Sequence, residues 1–259
     1  MSHIFPFGSP LRKVRQEDRR PKRVFVLGVY ASAVHARWLD PDGRERVKAL
    51  AVASEPEIFW RGDGTRTVLD SIKVPPGVGN LLPADPKFNG PSGRALDEHF
   101  LQPLGLSRDD VWLSDLVPHS CLNPGQRTAI KRAYMPLVES RDLPTPSIPP
   151  PPSVLATAER QEEIAEELVG SGAETLVLLG DQPIRWFLRR WQPSYSRLAQ
   201  FGESRRSYGR PVALSVAGKN LQVLPLVHPR QSAKLGRHSA EWHSLHEHWR
   251  RTVAGGLLR

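Results

Sequence analysis

Short, wholly apolar runs alternate along this chain with amphipathic and turn-rich stretches, and the alternation predicts where strands and helices fall. Residues 24–28, 111–117, 175–179 and 221–227 are largely apolar on both alternating faces, the pattern of strands covered on both sides of a sheet. Residues 34–39 and 46–53 flank Asp40-Pro41-Asp42-Gly43 and are expected to pair as a hairpin, as are 211–216 and 221–227 around Ala217-Gly218-Lys219-Asn220. Helical spacing over 92–104 sets Ala95, Leu96, His99 and Phe100 on one face behind an N-capping Ser92. Further helices are expected at 124–140, at 153–170 with Ser153 as its cap, at 180–190 and at 239–252. Residues 62–89, with their Pro-Gly clusters, read as mostly loop. Strands that alternate with helices predict an α/β fold, a three-layer sandwich with a central, mostly parallel sheet between helices. Ligands on such sheets collect at the C-terminal ends of the strands.

At 259 residues the chain can bury a sizeable core, and the strand–helix alternation predicts a single domain over 23–259. Residues 1–22 read as a basic, flexible arm. The 25 prolines imply many loops, and the Pro149-Pro150-Pro151-Pro152 run makes 143–153 a stiff, extended crossover at the surface. No apolar run reaches the length of a membrane span, and the first residues lack the basic-then-apolar order of a signal peptide. The single cysteine, Cys121, excludes an intrachain disulfide framework and a four-cysteine cluster, so a reducing, cytoplasmic setting is expected. The chain is expected to be a monomer, without cofactor or metal. A net charge of +9 favours an anionic partner, nucleic acid first. That charge concentrates in Arg12, Lys13, Arg15, Arg19, Arg20, Lys22 and Arg23, and again in Arg230, Lys234, Arg237, Arg250 and Arg251. A soluble protein with a solvated basic arm is the plainer reading of the same charge.

The candidate chemistry sits at the predicted strand ends: Gly28-Val29-Tyr30-Ala31-Ser32, Ser114-Asp115-Leu116-Val117-Pro118-His119, Gly180-Asp181-Gln182-Pro183, and Leu226-Val227-His228-Pro229. Between the first two lies Phe88-Asn89-Gly90-Pro91-Ser92-Gly93-Arg94-Ala95-Leu96. In this order the set resembles the uracil-DNA glycosylase superfamily, most of all its bacterial and archaeal iron–sulfur branch, over about residues 24–252. The part that carries the resemblance best is 88–96 followed by Val111-Trp112-Leu113-Ser114-Asp115. The resemblance implies a sheet between helices, DNA as partner, and a damaged or deaminated base flipped into a pocket and released by hydrolysis of its N-glycosidic bond in base excision repair. It implies catalytic roles for His228 and Tyr30, base-binding roles for Phe88, Asp115 and Val29, and DNA contacts from Ser32, Arg230, Gln231, Ser232, Lys234 and Leu235. Phe88 would stack on the base, His228 would stabilise charge on its carbonyl, and Leu235 would wedge into the duplex.

The chain departs from the family pattern at three places. Val29 and Tyr30 stand where relatives often carry a carboxylate or amide, and neither can act as a carboxylate base. Asp115 stands where a base-reading asparagine is usual; an ionised carboxylate only accepts hydrogen bonds and would favour an exocyclic amine over uracil. The cluster cysteines are missing, so no iron–sulfur centre is expected. Plainer readings stand beside each role: His228 as a strand-end cap, Asp115 as an N-cap or ion-pair partner, Phe88 as a loop anchor and Asp181 as an N-cap. His243, His246 and His248 invite a metal, but they do not share one helix face and read as packing or surface residues. Cys121 with His119 is a poor nucleophile–base pair at that spacing. Two other functions remain open: a non-catalytic nucleic-acid-binding relative of the same fold, and a small-molecule hydrolase or nucleotide-binding enzyme.

Overall fold

The computed structural model describes residues 3–234 and 239–258. The chain is α/β and forms two compact units, each assembled from three stretches. Unit 1 takes the chain up to Val14, Tyr30–Gly93 and Pro118–Ser153; unit 2 takes Arg15–Val29, Arg94–Val117 and the chain from Val154 onward.

Unit 2 contains the five-stranded sheet. Its strands are β1 (Val24–Tyr30), β5 (Val111–Val117), β6 (Thr175–Leu179), β7 (Val212–Val216) and β8 (Lys219–Leu226), in the spatial order β5-β1-β6-β8-β7. β1, β6 and β8 are parallel, with Val26 opposite Val177 and Leu178 opposite Pro225. β7 is antiparallel to β8 through a tight turn in which Ala217 and Gly218 both have positive φ, the geometry that matches strand twist. The apolar runs are buried: β5 and β6 are buried throughout. Each apolar side chain so covered is worth roughly 1.5–3 kcal/mol relative to exposure. The chain leaves β1 for β5 on one side and reaches β6 on the other, so the switch point of the sheet falls between β1 and β6.

Unit 1 is built on a second, three-stranded sheet in the order β3-β2-β4. β2 (Ala33–Leu39) and β3 (Glu45–Ser54) form the predicted hairpin, and β4 (Asn80–Pro83) adds to β2 in antiparallel fashion. Asp40 closes the hairpin turn by accepting from the backbone N–H groups of Asp42 and Arg44. Trp38 is fully buried, donates to Val78 O at 3.0 Å, and meets Phe7 edge-on at 5.5 Å. Phe5 and Phe7 are buried in this core and Tyr134 Oη accepts from the Phe7 N–H. Phe5 and Phe7, within the segment expected to be an arm, thus lie in the core, where burial of two aromatic rings holds that stretch of chain. The crossover at 143–153 is likewise packed down, with Leu143 and Ile148 buried and Pro149 O accepting from Leu122.

The helices are α1 (Thr65–Asp70), α2 (Pro91–Leu96), α3 (Pro124–Ala129), α4 (Met135–Val138), α5 (Ala158–Gly170), α6 (Asp181–Trp186), α7 (Pro229–Ser232) and α8 (Ser239–Thr252). α1 and β4 lie in the stretch expected to be mostly loop. Both are short, below the window in which periodicity is readable. Thr157, not Ser153, caps α5, accepting from the Arg160 N–H. A π-helical turn, Asp97–Leu101, continues α2, and another, Ile130–Tyr134, joins α3 to α4.

Candidate functional site

In unit 2 the ends of β6 and β8 lie side by side. Gly180, with φ +86°, follows β6, and a Cβ built there would come within 3.1 Å of the His228 Cβ. Glycine suits both the positive φ and this close approach of the two strand ends, where a side chain would press on His228. Proline at the first position of α7 starts that helix and leaves His228 as its N-cap in extended conformation. The Arg230 backbone N–H donates to His228 Nδ1 at 3.1 Å. An acceptor Nδ1 carries no proton, so in the neutral ring the proton sits on Nε2. Burial, then the Arg230 charge, pushes the His228 pKa down to about 4, so the ring is neutral at pH 7.

The residue before it is held from behind. The Val227 N–H donates to Tyr208 Oη at 3.0 Å, Tyr208 Oη lies 2.8 Å from His246 Nδ1, and His246 Nε2 lies 2.9 Å from His99 O. One proton arrangement satisfies the whole chain: Tyr208 donates to Nδ1, and Nε2 donates to the carbonyl. Burial pushes the His246 pKa down to about 3 and raises that of Tyr208. His246 is sandwiched by Phe100 and Trp249, at 4.5 and 5.0 Å between ring centroids. Of the histidines that invited a metal, this one is a packing residue, and among the described residues no group of His, Cys, Asp and Glu is arranged to hold a metal ion.

Asp115 lies on β5 and is buried, and burial raises its carboxyl pKa to about 7 against the pull of Arg160. Arg160 of α5 donates to Ser114 Oγ and Asp115 O and pairs with Glu163 and Glu167. Ser114 thus faces α5, and strand alternation turns Asp115 to the opposite face. A carboxyl near its midpoint at pH 7 is protonated half of the time and can then donate as well as accept, as an amide does. β5 and β8 are separated by β1 and β6, about 14 Å at the usual strand spacing.

The loop after His228 is divided in its roles. Arg230 and Lys234 are exposed. Gln231 is half-buried, and its Oε1 faces the His228 N–H at 3.4 Å. Ser232, expected on a phosphate, is buried, and its hydroxyl donates to Pro229 O; a hydroxyl spent on its own turn is not offered to a ligand. Leu235 lies outside the described residues. Val29, at the end of β1, is half-buried. Asp181 accepts from the Leu198 N–H rather than capping α6.

The other expected residues belong to unit 1. Phe88 ends a single 3-10 turn capped by Asp85; its ring is 36% exposed and lies 5.2 Å from Lys87 Nζ and 6.4 Å from the His35 ring. The motif around it has a structural reason. Asn89 bonds both the N–H and C=O of His35, and a Cβ on Gly90 or Gly93 would fall 2.0 and 2.1 Å from the backbone of Arg61 and Phe59. Tyr30 is 47% exposed. Ser32 is half-buried, and its carbonyl accepts from Ser120 Oγ. His35, Arg160 and Tyr208 were not foreseen. His35 is, with Arg37, one of two polar residues in β2, and no signal in the sequence set it apart; Arg160 and Tyr208 sit in ordinary polar surroundings.

No protein-family model matches the chain, and no curated protein matches it. Among the described residues no helix is long and apolar enough to cross a membrane.

Proposed function

We propose that the protein acts on DNA inside the cell, as a monomer, and releases a damaged or deaminated base in the manner of uracil-DNA glycosylases. The observation that carries this reading is the fixed tautomer of His228 at the end of β8, with Nδ1 occupied by the Arg230 N–H. When the bond between the sugar C1′ and the base nitrogen breaks, the electron pair stays with the base and charge gathers on its carbonyl oxygen. A neutral Nε2–H donor meets that charge without having to give up its proton, an electrostatic role prepared before the reaction begins. Water then adds at C1′, and the proton it loses ends on the departed base anion, leaving a C1′ hydroxyl and a neutral free base. Asp115 in its protonated form can read a uracil edge, and Arg230 and Lys234 suit phosphates.

The test is an incubation of wild-type protein and His228→Ala with duplexes holding uracil, hypoxanthine or xanthine, scored for abasic sites. Release of at least one base by the wild type is expected, with a loss of about 10²–10³-fold in the variant. No abasic sites on the whole panel would end the enzymatic reading. It would leave the non-catalytic nucleic-acid-binding relative, which the apolar Val29 and open Tyr30 favour where a carboxylate or amide is usual.

A further inference from the structure

Unit 1 holds a cavity of about 410 Å³ whose polar side is made of His3, Arg12, Lys13 and His119 and whose apolar side is Leu11 with prolines of the 149–152 run. Its size falls in the range of small-molecule pockets, about 300–1,000 Å³. Among the described residues no carboxylate lines it. Arg12 and Lys13 are exposed, and among the described residues neither side chain has an ion-pair partner.

The walls are tied by backbone hydrogen bonds. Leu11 N–H donates to His3 O, Val14 N–H to Pro118 O, Leu122 N–H to Pro149 O and Ser147 N–H to Ile4 O. The Arg12 N–H donates to Ser54 Oγ at 2.9 Å. Two basic side chains that would repel one another in an idle loop are thus pinned to one cavity. His119 Nδ1 lies 3.1 Å from Ser120 O, which places a proton on Nδ1 and leaves Nε2 for a partner. The prolines present flat, rigid apolar faces that cost little conformational entropy to cover.

We infer that this cavity binds the phosphate ester of a nucleotide, free or within a strand, with Arg12 and Lys13 on the phosphate, His119 beside it and the proline wall against sugar or base. The site goes beyond the base-releasing reading and uses none of its residues. Paired cations with no acid among them match a dianionic or diester phosphate, and the apolar wall calls for the rest of the nucleotide rather than a bare ion.

Two probes are titrated, uridine 5′-monophosphate and single-stranded oligothymidylate, into the full chain and into Arg12→Ala/Lys13→Ala, with the His119 ring protons followed by NMR. For the strand, loss of two phosphate contacts lowers the log–log salt slope by about 1.4 and affinity by about 25-fold near 0.1 M salt. Monophosphate binding that moves His119 and disappears in the double variant assigns the site to a free nucleotide. Strand binding alone, weakened as stated, assigns it to a nucleic-acid backbone. Failure of the wild type to bind either probe, or binding that the double variant keeps, overturns the inference. Lys13→Ala alone serves if the double variant melts early. Because His228→Ala leaves this cavity untouched, failure here and failure of base release are told apart.

Discussion

At the end of β8, the polar groups are half-buried or buried, neutral and bonded to one another: His228 to the Arg230 backbone, Val227 to Tyr208, Tyr208 to His246. In the cavity of unit 1, Arg12 and Lys13 are exposed, charged and without ion-pair partners among the described residues. The first arrangement spends its hydrogen bonds on fixing one ring in one tautomer, which suits chemistry that tolerates little displacement. The second leaves its charge uncommitted, which suits recognition of an anion. Removing a group from the first should therefore cost stability or rate. Removing one from the second should cost binding alone.

The largest effect should come from His228→Ala, the loss of base release described above. Tyr208→Phe follows. It leaves the Val227 N–H and His246 Nδ1 without their buried partner, a cost of about 1–3 kcal/mol in chemical denaturation. A variant as stable as the wild type would mean that the chain of bonds does not hold the strand end.

pH should separate the buried groups from one another. His228 and His246 titrate in the folded state near 4 and 3 and near 6.5 when unfolded. Below about 6.5 the unfolded chain takes up protons that the folded chain refuses, so their contribution falls as pH drops toward 4. Asp115 runs the other way. Between its unfolded value near 4 and its folded value of about 7 the folded chain keeps a proton that the unfolded chain has released, so stability falls as pH rises through that window. The stability difference between wild type and Asp115→Asn, measured across pH 4–8, should shift against the wild type as pH rises and level off above 7. A flat difference would remove the raised carboxyl. Uracil release, if Asp115 reads the base, should decline over the same upper limb in the wild type and not in the variant.

The smallest effect belongs to unit 1. Arg12→Ala and Lys13→Ala should each change stability by no more than about 0.5 kcal/mol. A larger loss would show that these cations hold the fold instead of waiting for a ligand.

Much of unit 2 was legible in the sequence because burial on both faces leaves a run with no polar residue, as at 176–179, and because Ser239 to Thr252 keeps helical spacing over its full length. The hairpin at Asp40 was legible because the turn residues satisfy their own backbone. Unit 1 was harder. Its core draws on Phe5, Phe7, Tyr134 and Ile148, which no local period links, and the glycines at 90 and 93 mark a close backbone approach whose partner is visible only in three dimensions. At the candidate site the sequence could place His228 on a strand end, but not its tautomer. That depends on which backbone N–H reaches Nδ1. The raised Asp115 carboxyl was likewise hidden, since burial of a side chain is a property of its neighbours.

The claim on which the proposed chemistry rests is that His228 presents a neutral Nε2–H. Nitrogen-15 NMR of the imidazole between pH 3 and 8 tests it directly. The account predicts a ring protonated on Nε2, unchanged from pH 8 down to about 5 and titrating near 4. A proton resident on Nδ1 at neutral pH, or titration near 6.5 as in a free side chain, would contradict it.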